Sequence, residues 1–237
     1  AFSQWLARCT HAHKNNAYRA VTLSLKANHQ APGDATSDQM QLIADLADCY
    51  SFGEIRVSHE QNLILADVHE DDLFDLWKKA KSQHLATPNI GLLTDIICCP
   101  GGDFCSLANA KSIPISDSIQ QVFDDMDYLH DIGEIDLNIS GCMNACGHHH
   151  VGHIGILGVD KNGGEFYQIT LGGNQGNFAS IGKVIGPSFS ADEMPIVIKK
   201  IIDAYVKEKY ADESFIDCVT RTGLDPFKLS VYGEKKK

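Results

Sequence analysis

Residues 98–105 read Cys98-Cys99-Pro100-Gly101-Gly102-Asp103-Phe104-Cys105, and residues 140–147 read Ser140-Gly141-Cys142-Met143-Asn144-Ala145-Cys146-Gly147. These two short segments hold most of the chain's 8 cysteines. The others, Cys9, Cys49 and Cys218, stand alone in stretches that read as helical, where a reduced thiol behaves as a small buried apolar group. No charged-then-apolar signal segment opens the chain, so a disulfide framework is not expected. Thiols carried on glycine- and proline-bearing loops suit an iron-sulfur cluster, which wants four soft anionic ligands and backbone N–H groups free to turn toward sulfur. The spacings C-x5-C and C-x3-C suit a structural zinc site less well, and unligated thiols are a third reading. Spacing alone leaves all three open, and chemistry alone does not separate Cys98 from Cys99.

Upstream of these loops, Val21, Leu23 and Leu25 alternate with Thr22, Ser24 and Lys26, which predicts a strand over Tyr18 to Ala27 covered on one face. Thr36 with Gln39 forms a capping box, and Ile43, Leu46, Ala47 and Tyr50 recur at helical spacing, predicting a helix over Ser37 to Tyr50. Ile55 and Val57, a polar turn, then Leu63 and Leu65 predict a hairpin. Acidic Glu70, Asp71 and Asp72 then open a helix bearing Leu73, Leu76, Trp77 and Ala80. This is a βαββα unit ending near Ala86. Thr87-Pro88-Asn89 is a breaker after which glycines gather, so we expect two domains, 1–88 and 89–237.

In the second domain a strand over Gly91 to Ile97 is expected to lead into the first cysteine loop, and a helix over Ser116 to Met126 to follow it. A strand over Ile135 to Ile139 feeds the second loop. Strands over Val151 to Val159 and Glu165 to Leu171 come next, then a last long helix opening at Ser190 with Glu193 as its box partner. The terminal Lys235-Lys236-Lys237 reads as a solvated tail.

Lys plus Arg number 20 against 31 for Asp plus Glu, a net charge of -11. That balance argues against nucleic acid or an anionic membrane as partner, since phosphate binding rests on surplus cations. Apolar runs such as His153 to Val159 fall far short of the ~20 residues of a membrane span. A cytoplasmic location is the expectation.

The sequence resembles the siroheme and [4Fe-4S] sulfite and nitrite reductases in their assimilatory hemoprotein form. The resemblance rests on Thr94-Asp95-Ile96-Ile97 leading into Cys99-Pro100-Gly101 and Cys105-x-Leu107-Ala108, on Ser140-Gly141-Cys142-x-Asn144-x-Cys146-Gly147, and on Leu171-Gly172-Gly173-Asn174. It implies an α+β chain: a ferredoxin-like half-domain (βαββα) at 1–88, then a mixed α/β domain binding siroheme and the cluster at 89–237. It implies that Cys99, Cys105, Cys142 and Cys146 hold the [4Fe-4S] cluster, with Cys146 also bridging to the siroheme iron and Cys98 spare. Asn144 matches an asparagine of the family motif, placed to hydrogen-bond near the cofactors or to shape the loop. The implied reaction is six-electron reduction of sulfite to sulfide or of nitrite to ammonia.

His148, His149, His150 and His153 form the densest titratable group. Adjacent residues of a strand face opposite ways, so a transition-metal site there is disfavoured. Hydrogen bonding to siroheme carboxylates and ordinary strand histidines are the alternatives. Lys111 and Lys183 read as solvated surface residues, with a place near the cofactor mouth as the other reading. The glycines at 172, 173, 176, 182 and 186 match no nucleotide-binding spacing, so electrons are expected from a partner protein, ferredoxin or a flavoprotein reductase.

The chain matches only the second half of this family, and it begins with Ala1 rather than Met. We therefore expect a C-terminal half whose missing N-terminal half supplies the basic anion-binding cluster, and which self-associates through the face left uncovered. No catalytic acid is assigned. A non-catalytic electron-transfer module or a zinc-stabilised structural fragment is the reading from a different class.

Overall fold

The computed structural model describes residues 1–233, and the lysine end expected as a solvated tail lies outside them. The described residues form two compact units, 1–91 and 92–233.

In the first unit α1 (Phe2–Cys9) precedes β1 (Thr10–Ala12) and β2 (Tyr18–Leu23), followed by α2 (Ser37–Tyr50), β3 (Arg56–Val57), β4 (Leu63–His69) and α3 (Leu73–Ser82). The strands form an antiparallel sheet in the order β1-β2-β4-β3. Trp5 and Cys9 of α1, Ile43 and Leu46 of α2, Leu76 and Ala80 of α3, and Val21, Leu23 and Leu65 of the sheet share one core. The α2 capping box forms as its sequence predicts: the Gln39 backbone N–H donates to Thr36 Oγ1, and the Gln39 side chain accepts from the Thr36 N–H. A three-residue acidic turn, Glu70–Asp72, opens α3, again as predicted. β2 is shorter than expected, ending at Leu23. Beyond it the Leu25 N–H goes to the Asn62 side chain rather than to a strand partner. The amphipathic opening forms α1, and it supplies the fully buried Trp5.

The second unit is built on a five-stranded sheet, β5 (Ile97–Cys98), β6 (Leu137–Ser140), β7 (Ile154–Lys161), β8 (Gly164–Leu171) and β9 (Lys183–Val184), ordered as numbered. β5, β6 and β7 run parallel, whereas β7, β8 and β9 are antiparallel. The β7–β8 hairpin turns on Asn162 and Gly163, both at positive φ, the backbone a two-residue hairpin loop requires. Helices α4 (Ile113–Val122), α5 (Met126–Ile132), α6 (Met194–Glu208), α7 (Phe215–Thr222) and α8 (Asp225–Tyr232) contribute to one core with the sheet.

Several expected bounds move. The strand expected over Gly91 to Ile97 is confined to Ile97–Cys98, because residues before it turn and make only an isolated bridge, Leu92 to Glu134. The helix expected over Ser116 to Met126 is two helices: Pro114, which needs no N–H in a first turn, starts α4 early, and Asp125 caps a separate α5. The strand expected from Val151 begins at Ile154, since His149–Val151 forms a tight 3-10 turn. The Ser190–Glu193 box forms and leads through a short turn into α6. The two further helices α7 and α8 come after it.

Alternation along β6 sets the geometry of the crossover beyond it. Leu137 and Ile139 enter the core, so Asn138 and Ser140 face the other way, and all four are buried. Residues 141–153 cover that second face as they return from the end of β6 to the start of the parallel β7. Parallel neighbours need a crossover of about a dozen residues, so this one is close to minimal and lies flat on the sheet. A Cβ on Gly147 would stand 2.0 Å from the Ile139 carbonyl oxygen, and one on Gly155 would stand 1.9 Å from that of His149. Only glycine fits at either place. The Gly147 N–H donates to Ser140 Oγ at 3.1 Å, and Asn138 Nδ2 donates to the His148 carbonyl at 3.1 Å.

Candidate functional site

Because β5 and β6 are adjacent and parallel, the two cysteine loops leave the sheet at the same end. Carboxyl ends of parallel strands are where open α/β sheets place ligands. The same period-two rule separates the neighbouring thiols. Cys98 sits in the apolar core with Ile96 and Ile139, while Cys99 faces the second loop. The Cys99 sulfur accepts a hydrogen bond from the Gly141 N–H at 3.0 Å and lies 3.5 Å from Ser112 Oγ.

The first loop folds back on itself. Cys105 N–H donates to the Gly101 carbonyl at 2.9 Å, and Gly102 N–H to that of Ala110 at 3.0 Å. The second loop is clasped to it at Gly141, whose carbonyl accepts from Asn109 N–H at 2.8 Å and Ala110 N–H at 3.1 Å. A Cβ at Gly141 would meet the Ala110 oxygen at 2.7 Å and the Gly101 Cα at 2.8 Å. Backbone thus packs on backbone where the loops cross.

From the antiparallel side, Tyr167 of β8 braces the first loop. Its phenol donates to the Lys111 carbonyl at 2.8 Å, while Glu165 accepts from the Lys111 N–H at 3.2 Å. Burial, and secondarily the adjacent Glu165 carboxylate, pushes the Tyr167 phenol far above its ordinary pKa, so it remains a donor. Lys111 pairs with Asp103 at 3.4 Å. Both Lys111 and Lys183 are exposed, Lys111 as an ion-paired loop residue.

The expected ligand thiols form a gradient of exposure: Cys99 and Cys142 are buried, Cys105 is intermediate and Cys146 is exposed. Asn144 is exposed on the second loop. Ala145 and His148 adopt left-handed backbone, and the Ala145 and His148 N–H groups donate to the Cys142 and Ala145 carbonyls in successive turns. Among the described residues no three His, Cys, Asp or Glu side chains lie close enough to hold one metal ion. Cys9, Cys49 and Cys218 are helical as expected, but Cys49 is exposed rather than buried.

The histidines lie on a tight turn, not a strand, so the alternating-face expectation for them is corrected. The short crossover leaves no room for a strand before Ile154. His148 is exposed and His150 half-buried, their rings 6.4 Å apart. His149 is buried, its Nδ1 has no hydrogen-bond partner among the described residues, and burial followed by the neighbouring His150 lowers its pKa. His153 has a structural place, its Nδ1 accepting from the Asp136 N–H at 3.1 Å.

Sequence reading gave no holding role to the residues that hold the loops, Asn138, Ser112, Tyr167 and the motif residue Ser140. The available signal was polar residues at alternate positions of the otherwise apolar segment Leu137-Asn138-Ile139-Ser140, which mark a face covered by hydrogen-bonding backbone rather than by core.

Comparison with known proteins respects the same division. The family described as "Nitrite/Sulfite reductase ferredoxin-like half domain" matches residues 11–83, and "Nitrite and sulphite reductase 4Fe-4S domain" matches residues 93–237. The assimilatory ferredoxin-dependent nitrite reductase of Haloferax mediterranei is 30% identical over 201 residues, 82% of this chain and 34% of that protein. The sulfite reductase [NADPH] hemoprotein beta-component of Yersinia pestis is 27% identical over 185 residues, 77% of this chain and 31% of that protein. The structure of Mycobacterium tuberculosis NirA superposes with a TM-score of 0.74 at 25% identity, covering 92% of this chain and 40% of that one. The chain spans about a third of the length of the curated relatives it matches. No helix among the described residues is long and apolar enough to cross a membrane.

Proposed function

Since this chain belongs to the nitrite and sulfite reductase family and carries its 4Fe-4S domain, we propose that it is the cofactor-bearing C-terminal part of a reductase acting on sulfite or nitrite. The observation that carries the reading is the delivery of two cysteine loops by adjacent parallel strands, clasped through Gly141. In this reading residues 1–88 are the ferredoxin-like half-domain and 89–237 the cofactor domain. The N-terminal half, or a second copy, covers the exposed Phe104, Leu107 and Met143 on the two loops.

The residues fit the group. Cys99, Cys105, Cys142 and Cys146 supply four soft donors, backbone N–H already points at a sulfur, and the loops pack at glycines that leave no side chain between them. Cys146, at the exposed end of the set, is assigned the further role of reaching the siroheme iron. When bound, the coupled siroheme and [4Fe-4S] cluster supply single-electron transfers that sum to the six-electron reduction. The chain's own part is to hold and orient: Gly141 N–H polarises the Cys99 sulfur, Asn138 and Ser140 pin the second loop to the sheet, and Tyr167 fixes the first. In this reading Asn144, exposed on the second loop, hydrogen-bonds near the cofactors, and the exposed His148 donates to siroheme carboxylates. Electrons come from ferredoxin or a flavoprotein reductase, in the cytoplasm. A family match described by an iron-sulfur domain favours this reading over the zinc-stabilised fragment or a bare electron-transfer module.

The test is the absorption spectrum of anaerobically purified protein, with iron and acid-labile sulfide assayed on the same sample and dye-coupled reduction of sulfite and nitrite measured in parallel. Siroheme bands with four irons beyond the heme support the reading. Zinc with no labile sulfide overturns it.

A further inference from the structure

Ser112 occupies the N-cap position of α4 yet makes no side-chain capping bond. A capping serine adopts extended backbone so that its oxygen can reach the N–H groups of the first turn, whereas Ser112 has φ -109 and ψ -38. Its side chain is fully buried, and the partner of its hydroxyl among the described residues is the Cys99 sulfur at 3.5 Å. The hydroxyl is walled by backbone of both cysteine loops: a Cβ at Gly101 would stand 2.6 Å from Ser112 Oγ, and one at Gly141 3.1 Å from it. A residue of capping type, placed at a cap and not capping, has its hydroxyl turned into the junction of the loops.

We infer that Ser112 is a positioning and tuning residue, donating its hydroxyl proton to the Cys99 thiolate and favouring the reduced state of the cluster that Cys99 holds. The inference rests on the cluster assignment above. A thiolate bound to iron has no proton to give, so the hydroxyl is the donor. Gly141 N–H approaches the same sulfur, which makes Cys99 a doubly hydrogen-bonded ligand. Hydrogen bonds to cluster sulfurs stabilise the extra negative charge of the reduced form, raising the potential. The N-terminus of the ten-residue α4 adds positive field in the same sense.

The experiment is an EPR-monitored redox titration of the anaerobically reconstituted chain, wild type against Ser112→Ala, with the isosteric pair Ser112→Thr and Ser112→Val beside it. Thr and Val add the same methyl, so their difference isolates the hydroxyl. Ala and Val are expected to shift the one-electron equilibrium about tenfold against reduction, ~59 mV, with Thr near wild type. Equal potentials in the Thr and Val variants overturn the inference while leaving the cluster assignment standing. Loss of cluster from all three variants overturns it too, in favour of a packing role. A wild-type chain that takes up no cluster under the same conditions overturns the assignment and the inference together.

Discussion

One sheet of this molecule contains two kinds of strand neighbour. β5, β6 and β7 run parallel, and β7, β8 and β9 antiparallel, sharing β7 as the hinge between the styles. The antiparallel half closes with a two-residue Asn162-Gly163 turn and carries no cysteine. The parallel half cannot close so cheaply. Each of its connections must travel back along the sheet, and the excursions of both β5 and β6 begin at the same end. Parallel pairing therefore costs chain length and glycine, and it yields two loops side by side where antiparallel pairing would have sent them to opposite ends.

The sharpest way to break this comparison is a methyl group in each half. Gly147→Ala drives a Cβ into the Ile139 carbonyl at 2.0 Å, and we expect a loss of about 3 kcal/mol or more in denaturant unfolding, with iron binding lost. Gly163→Ala meets nothing within 4 Å and carries only the strain of positive φ, about 1 kcal/mol, with iron content unchanged. Equal effects would mean that the crossover does not lie on the sheet as described.

The next test separates neighbours across the strand. Cys99→Ser is expected to abolish stoichiometric cluster in an iron and sulfide assay. Cys98→Ser should keep the cluster while destabilising the fold by about 1–3 kcal/mol, since it places a hydroxyl in the apolar core. Loss of cluster from the Cys98 variant alone would assign the ligand to the wrong face of β5. Cys146→Ser, at the exposed end, should weaken magnetic coupling between heme and cluster with less effect on the fold than either.

The smallest effect lies among the helices beyond both halves of the sheet. Arg221 grips Glu213 through two nitrogens, at 2.6 Å each, and stacks on Tyr210. That hydrogen bond to Arg221 is the leading cause of the Glu213 carboxyl being held down to about 2. A depressed carboxylate stabilises the fold at pH above its unfolded value, about 4.3, and loses that contribution as pH falls toward its folded value. Glu213→Gln should therefore lower Tm slightly at pH 7, with the gap to wild type closing between about pH 4.3 and 2. A gap that stays constant across that window would mean the pair contributes packing and not charge. Iron content should be the same in both.

Much of this was legible along the chain. The Thr36–Gln39 and Ser190–Glu193 boxes, the acidic start of α3 and the hairpin around His59 are local signals, satisfied within a few residues. The paired cysteine loops pointed to the family, which the family matches bear out. The misjudged stretches are those whose partners lie far away in sequence. Gly91 to Ile96 reads as strand but turns, and the histidine run reads as strand but is squeezed into a crossover. Leu25 and Lys26 continue an alternating pattern after their sheet partner has given way to the Asn62 side chain.

The sequence by itself determined the periodicities, the helix caps, the cysteine spacings and thereby the family, because each depends on residues within a turn or two of one another. Only the tertiary structure decided which of two adjacent thiols faces the core, why glycine stands at 141 and 147, and what the Ser112 hydroxyl touches. Those depend on β5 and β6 lying parallel and adjacent. That pairing brings together backbone some forty residues apart, and no local pattern records the distance between them.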